Sequence, residues 1–525
     1  MNFNSLTFKN LAYWMLGFLL LMNACQTKEV APTNIPNDVS LVICADFKSM
    51  SKKAVSWRDM MNPDFINSIA SNNEADILAK IFNSGIDYQS EGYLFSKVSL
   101  KLDEQYFGGV FNLNSESKFE KAIKDSEDKP AIKKEGKLKY AILKNNLIIA
   151  WEKRKVWFGS FYGQTNESKL VSLLDKIRKT KPEESLEAKN PEFKTLLQND
   201  FDLAFWADYE KINKQVYDDL AENLPAQMSF LKDLTRLNKY FTGILNFEQG
   251  EITMKGKYHF DSQILGKYQE LFKGSISSEL TQATPIKNPM LFSSGAIGMP
   301  GVKKILSEAG ILKSKEVQLI ELMGIKSDEM IDMFSGDMVL AIKDINTSFL
   351  ASETVEMAIG LGLKNKETLD KFLENLAGIP FLNLKKKDNY YVLRTEDLKL
   401  FMVEKANMIF ITTTPEIKDD FLISKNAIEN KYTASSQGAI YSFYVDVPKI
   451  TQILPESTFK EKDAQLFKEH IMPIFESTEG KALPYSGNTA DAEAKVIMKD
   501  KSKNALSSIV EALKKMAAQK PKKVS

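Results

Sequence analysis

Two cysteines and two histidines in 525 residues leave little material for the commonest catalytic and metal chemistry. His259 and His470 lie far apart, and neither belongs to a His-x-x-x-His spacing. Cys44 is the only cysteine beyond position 25, so no zinc site of nitrogen and sulfur ligands is expected. A Ser-His-Asp enzyme would need one of the two histidines, and no Gly-x-Ser-x-Gly elbow occurs. His259 sits in the alternating stretch ITMKGKYHF and His470 on a predicted helix, so both read as structural. Cys44, inside the apolar strand LVICADF, reads as a small buried hydrophobe. These absences assign no catalytic residue, no metal and no cofactor.

Arginine is scarce as well. Arg58, Arg154, Arg178, Arg236 and Arg394 are scattered and form no cluster for reading phosphates or bases, and the net charge is only +1. No nucleic-acid partner is expected. What remains is ordinary for a folded protein, with 43% hydrophobic and 26% charged residues.

The one long apolar run is at the start. LAYWMLGFLLLM, residues 11 to 22, is short for a membrane-spanning helix and suits the central region of a signal peptide. The following NAC resembles a bacterial lipoprotein signal, which would make residues 1–24 a removed leader and Cys25 the lipid-bearing first residue. Acyl chains worth about 0.8 kcal/mol per buried methylene would then hold the protein on a membrane. Simple secretion with an incidental cysteine is the plainer alternative. Residues 25–36 read as a flexible tether; QTKEVAPTNIP within it could reach about 35 Å when extended.

The most informative feature is repetition. FNLNSESKFEKAIKD from Phe111 matches LGLKNKETLDKFLEN from Leu361, aligning Phe111 with Leu361, Leu113 with Leu363, Phe119 with Leu369 and Ile123 with Leu373. Both read as a strand turning into an amphipathic helix capped near Asn114 and Asn365. AWEKRKVWF from Ala150 matches MVEKANMIF from Met402, setting Glu152 against Glu404 at a hairpin bend, and GIDYQSEGYLF from Gly85 pairs loosely with GIKSDEMIDMF from Gly324. The matches recur in order, roughly 240 to 250 residues apart, about the span of one large domain. The chain is therefore expected to be α+β, with two tandem, internally repeated halves, each a largely antiparallel sheet covered by helices. The expected boundaries are 37–280 for the first half, 281–289 for a linker, 290–517 for the second half and 518–525 for a basic disordered tail.

FWADYEKI, from Phe205, places an acid after an apolar strand and ahead of a helical pattern. FYVDVPKI from Phe443 and CADFKSM from Cys44 repeat the arrangement, so Asp208, Asp446 and Asp46 read as helix caps at strand-to-helix joints and not as catalytic carboxylates. At a fourth such joint, Gly298 stands in the acid's place. The surrounding GAIGMPG fits no phosphate-loop fingerprint.

After the lipoprotein signal, NIPNDVSLVICADFKSM, from Asn34 to Met50, resembles the opening of the Bacteroidota lipoproteins of domain-of-unknown-function family 4836. Total length and the bipartite layout are similar, so the resemblance extends over nearly the whole mature chain. It implies a cell-envelope lipoprotein and brings no catalytic residue with it.

One positive candidate stands out. All four tryptophans beyond the leader lie in the first half, and WEKRKVWFGSFYG gathers Trp151, Trp157, Phe158, Phe161 and Tyr162 around a basic bend. These aromatics would form either an exposed platform for sugar rings or a protein partner, or a hairpin packed into the core. The leading expectation is an outer-membrane lipoprotein that binds or scaffolds, with the membrane, envelope proteins or glycans as partners. The alternatives are a carboxylate-dependent hydrolase acting on glycans and a carrier of an apolar ligand, the latter expected to enclose a Met- or Phe-lined cavity.

Overall fold

Short runs of alternating apolar residues, separated by turns and amphipathic helices, build one antiparallel sheet. The computed structural model describes residues 34–54, 85–99, 101, 103–126, 129–143, 146–163, 165–213, 229–314, 317–318, 321, 324, 326–345, 355–379, 382–395, 399–453 and 462–519. The expected signal peptide, Cys25, the tether up to residue 33, Trp57 and the tail from residue 520 lie outside these residues. Among the described residues no helix is long and apolar enough to cross a membrane.

The first ten strands are β1 (Leu41–Asp46), β2 (Glu91–Lys97), β3 (Tyr106–Asn112), β4 (Lys133–Glu135), β5 (Leu138–Leu143), β6 (Leu147–Glu152), β7 (Lys155–Phe161), β8 (Leu203–Asp208), β9 (Asn238–Phe247) and β10 (Glu251–Phe260). The second ten are β11 (Leu291–Ala296), β12 (Phe334–Ile345), β13 (Val355–Leu363), β14 (Leu384–Lys386), β15 (Tyr390–Arg394), β16 (Lys399–Lys405), β17 (Met408–Thr412), β18 (Tyr441–Asp446), β19 (Phe475–Ala482) and β20 (Thr489–Met498). Pairing runs β4-β5-β6-β7-β3-β2-β1-β8-β9-β10 and crosses to β20-β19-β18-β11-β12-β13-β17-β16-β15-β14. When β1 to β10 are matched in order with β11 to β20, the arrangement reads the same from either end. β10 and β20 meet at the centre.

Residues opposite one another share a face, so each half presents two. On one face of the first half, Val42, Cys44, Phe95, Trp157 and Trp206 pack under α3 (Glu167–Lys179) and α4 (Pro191–Leu197). In α3 the buried residues Leu170, Leu173, Leu174 and Ile177 follow helical spacing, each worth about 2 kcal/mol on burial. On the other face, Ala45, Leu94, Phe111 and Trp151 pack with α1 (Phe47–Lys53) and α2 (Glu116–Lys124). The second ten strands also present two faces. Phe292, Val339, Ala358 and Phe410 lie under α6 (Ser278–Gln282) and α9 (Pro415–Leu422), whereas Leu363, Leu369, Leu373 and Ile409 cluster around α8 (Lys366–Ala377).

The strand-to-helix joints share one hydrogen-bond pattern. Oδ1 of Asp46 accepts from the Ser49 amide at 3.0 Å, that of Asp208 from the Lys211 amide at 2.9 Å, and that of Asp446 from the Lys449 amide at 3.0 Å. Lys211 Nζ also donates to the carbonyl of Asn37 at 2.7 Å, and Lys449 Nζ to that of Asn288 at 3.1 Å. At the fourth joint Gly298 caps α7 (Met299–Glu308) without a side chain. Its glycine has a stricter cause than tolerance at a cap: a Cβ there would lie 1.7 Å from the carbonyl oxygen of Glu270. Ser115 caps α2, one residue beyond the expected Asn114, and Asn365 caps α8.

Two of the sequence matches fall out of step with the structure. Glu152 pairs with Lys155 around a two-residue turn and Lys405 with Met408 around another, the first turn residues being Lys153 (φ 55°) and Ala406 (φ 52°). Turn closure thus sets Glu152 against Lys405, and Glu404 against Trp151. Likewise the Gly85 carbonyl accepts the amides of Asn114 and Ser115, as the Met333 carbonyl accepts those of Lys364 and Asn365. Met333, not Gly324, is the positional counterpart of Gly85.

The chain ends by crossing back. After α10 (Val447–Ile453) and α11 (Lys462–His470), α12 (Ala505–Gln519) buries Leu506, Val510, Leu513 and Met516 in the core that holds Phe47, Met50 and Trp151 of the first half. Within residues 281–289, expected as a linker, Ile286 is buried with Phe292 and Phe410.

Candidate functional site

The aromatic cluster is the first place to test for a site. Trp151 is fully buried, edge-on to Phe119 at 5.5 Å between ring centroids, and Trp157 is buried on the opposite face of the sheet. Strand alternation separates them, so the two rings form no common platform. Phe158 stacks on Phe111 at 5.6 Å and Phe161 meets Tyr106 edge-on at 6.3 Å. Tyr162 is the exception: it is 47% exposed, beside Phe107. The hairpin therefore packs as core, and Tyr162 is its exposed member.

Buried charge is the second place to look, because an acid or base held away from water needs a reason. Asp202, fully buried, accepts from Ser49 Oγ at 2.6 Å, Lys53 Nζ at 2.8 Å and the Phe247 amide at 2.6 Å. Those bonds tie α1 to the start of β8 and the end of β9. Asp337 accepts from Ser335 Oγ and from the Ser277 amide at 3.3 Å. Lys418 pairs with Asp419 and lies 4.4 Å from the Tyr390 ring centroid. His259 is hydrogen-bonded to Thr242 Oγ1 at 3.2 Å, and burial holds its imidazole below the ordinary value.

Glu404 differs from these. Burial pushes its carboxyl above the ordinary range, neighbouring Asp370 adds to the effect, and Lys366 at 3.0 Å opposes it. Lys366 lies between the two acids, 3.0 Å from Glu404 and 4.0 Å from Asp370. Among the described residues no three His, Cys, Asp or Glu side chains gather into a group that would hold a metal ion.

The surface with the most to offer is the middle of the sheet. One row of opposed residues runs Met338, Gly295, Tyr441, Ala482, Ala492, Gly256, Gly243, Phe205 and Ile43. The next contains Phe443, Gly480, Ala494, Met254 and Leu245. None of these residues is an Asp, Glu, Lys, Arg or His. Met338 and Tyr441 are 48% and 47% exposed, and Phe205, Phe443, Met254 and Leu245 are half-buried. Half-buried Phe241 lays its ring over the glycine floor, since a Cβ at Gly256 would meet it at 2.5 Å. The reverse face of β10 and β20 is charged, with Lys257 3.5 Å from Asp491 and Lys495 3.3 Å from Glu251. The central ribbon is thus polar on one side and apolar, partly open, on the other.

Sequence reasoning passed over this face, although its signal is present. In ITMKGKYHF and TADAEAKVIM one alternate set is largely polar or charged and the other is mainly Ile, Met, Gly, Ala and Tyr. Only the pairing of β10 with β20 shows that the two apolar sets adjoin.

Comparison with known proteins adds a family and no activity. No curated protein matches the chain. Three crystal forms of TP0453 align at TM-scores of 0.26 to 0.27 and 10 to 13% identity, covering 44 to 48% of this chain and 81 to 89% of theirs. The family model described as "Domain of unknown function (DUF4836)" matches residues 33–506, and the chain belongs to that family.

Proposed function

We propose that this protein is a lipid-anchored component of the cell envelope, held at the outer membrane through Cys25, whose tandemly duplicated body binds or scaffolds and performs no covalent chemistry. The duplication is supported by the matched strand order and by the shared caps at Asp208 and Asp446 with their partners Lys211 and Lys449. Anchoring rests on the apolar leader followed by Cys25. Palmitate labelling is expected on the wild type and absent from Cys25→Ala; equal labelling of both would defeat the anchor.

The observation that carries the binding reading is the partly open apolar face around Tyr441, Phe443, Met254 and Phe205. Such a face gains roughly 25 cal/mol for each Å² of apolar area it removes from water. Isolation from native membranes, with identification of co-purified proteins and lipids, tests this. Tyr441→Glu is expected to lose envelope proteins that the wild type retains, and identical sets from both would sink the reading. The same face favours a second reading, a carrier of an apolar ligand, for which the lost species would be a lipid. No observation favours the carboxylate hydrolase.

A further inference from the structure

The segment after β10 and the segment after β20 occupy matching places on opposite halves. After β20 the chain turns through Asp500 to Asn504 and docks on the first half through backbone bonds. Gly250 donates to the Lys503 carbonyl at 2.8 Å, Ala505 donates to that of Glu248 at 2.8 Å, and Asn504 Nδ2 donates to that of Phe247 at 2.7 Å. Ser507 Oγ then donates to the Lys53 carbonyl at the end of α1, at 2.7 Å, and Leu506 and Val510 are fully buried beside Phe47 and Met50.

After β10 the chain forms α5 (Ser262–Tyr268) and a 3-10 turn (Gln269–Phe272) and docks on the second half. Gly298, the cap of α7, donates to the Leu271 carbonyl at 2.8 Å, and Lys304 Nζ donates to that of Lys267 at 2.7 Å. The approach is close enough that a Cβ at Gly301 would lie 2.3 Å from the Leu271 nitrogen.

We infer that these segments are reciprocal straps, each carried by one half and seated on the helix that follows the first strand of the other, so that the halves open together and never one at a time. Lifting α12 uncovers Phe47 and Met50, and lifting the Tyr268–Leu271 turn uncovers α7. The two lifts are coupled through the single β10–β20 seam from which both straps leave. A ligand that holds one half closed therefore also holds the other.

The test uses the full chain. Trp151 and Trp206 both lie in the first half, so tryptophan fluorescence reports that half and far-ultraviolet dichroism reports both. Coincident urea transitions are expected, and two separated midpoints would overturn the inference. Native-state hydrogen exchange on Ser507→Ala, which removes one bond and no apolar contact, gives the second arm. Exchange in α1 and in α7 is expected to rise together, several-fold, whereas a rise confined to α12 and α1 would overturn the coupling. Leu271→Ala is expected to produce the same joint rise from the other strap.

Discussion

Lys255 of β10 stands directly opposite Glu493 of β20, midway along a pairing that runs from Glu251 against Ile497 to His259 against Thr489. This is the one point where the matched strand order meets itself, and unlike charges stand opposite each other there, an arrangement that specifies pairing between the two different strands.

Charge reversal at this point tests the specification. Lys255→Glu sets like charges directly opposite, at an expected cost of about 0.5 kcal/mol, and adding Glu493→Lys is expected to restore it. Urea midpoints of the two single variants and the double variant close the cycle. Additive losses would mean that the pair does not interact.

At the capping joints, Asp208→Asn keeps an acceptor oxygen for the Lys211 amide and loses only the ion pair to Lys211 Nζ at 3.1 Å. A partly exposed pair of that kind contributes a few tenths of a kcal/mol. Asp208→Ala loses the cap as well, at about 1 kcal/mol. Melting temperatures should therefore rank the wild type nearly equal to Asn, and both above Ala. Equal depression in the two variants would refute the cap.

The hairpin aromatics separate core from surface. Trp151→Ala empties a fully enclosed site against Phe119 and is expected to cost about 3–5 kcal/mol, whereas Tyr162→Ala, at an exposed position, should stay within about 0.5 kcal/mol. Chemical denaturation reads both. A stable Trp151→Ala would contradict its place in the core.

Much of this architecture was legible because local rules wrote it. Apolar alternation, the Asp caps and the paired positions Phe119/Leu369 and Ile123/Leu373, all buried, are consequences of neighbours in sequence. What escaped depended on residues far apart. Nothing near Gly298 announces that the carbonyl of Glu270 approaches it, and nothing near Trp151 or Phe47 announces a helix drawn from residues 505 to 519. The Glu152 to Glu404 match misled because letters were aligned where turn closure sets the register. The candidate face escaped for the same reason, as β10 and β20 each carry half of it.

His259 makes stability depend on acidity. Burial holds its imidazole below 6.5, with Lys257 adding to the effect and Glu192 and Asp491 opposing it, while the ring lies tilted against Tyr240, centroids 4.6 Å apart. Below pH 6.5 the unfolded chain binds a proton that the folded chain refuses. The contribution is therefore complete above pH 6.5 and is lost as the pH falls through the folded value. His259→Gln should flatten the decline of urea midpoint with falling pH in that window. Parallel declines would assign the titration elsewhere.

The two outer strands, β4 and β14, are three residues long, and each carries two lysines, Lys133 and Lys134 at one end and Lys385 and Lys386 at the other. A sheet of this width would otherwise offer two rows of unpaired backbone groups to another copy. At each end one lysine is tied to a helix, Lys133 to Glu167 and Lys386 to Glu374, both at 2.5 Å, which leaves Lys134 and Lys385 exposed on the rim. Their ammonium groups would have to lose water or face like charge if edges from two copies paired. Replacing both by Val removes that penalty and raises strand propensity. Lys134→Val with Lys385→Val is therefore expected to shift sedimentation toward larger species with the monomer fold unchanged, each single variant giving a smaller shift. Unchanged sedimentation of the double variant would show that strand shortness alone guards the edges.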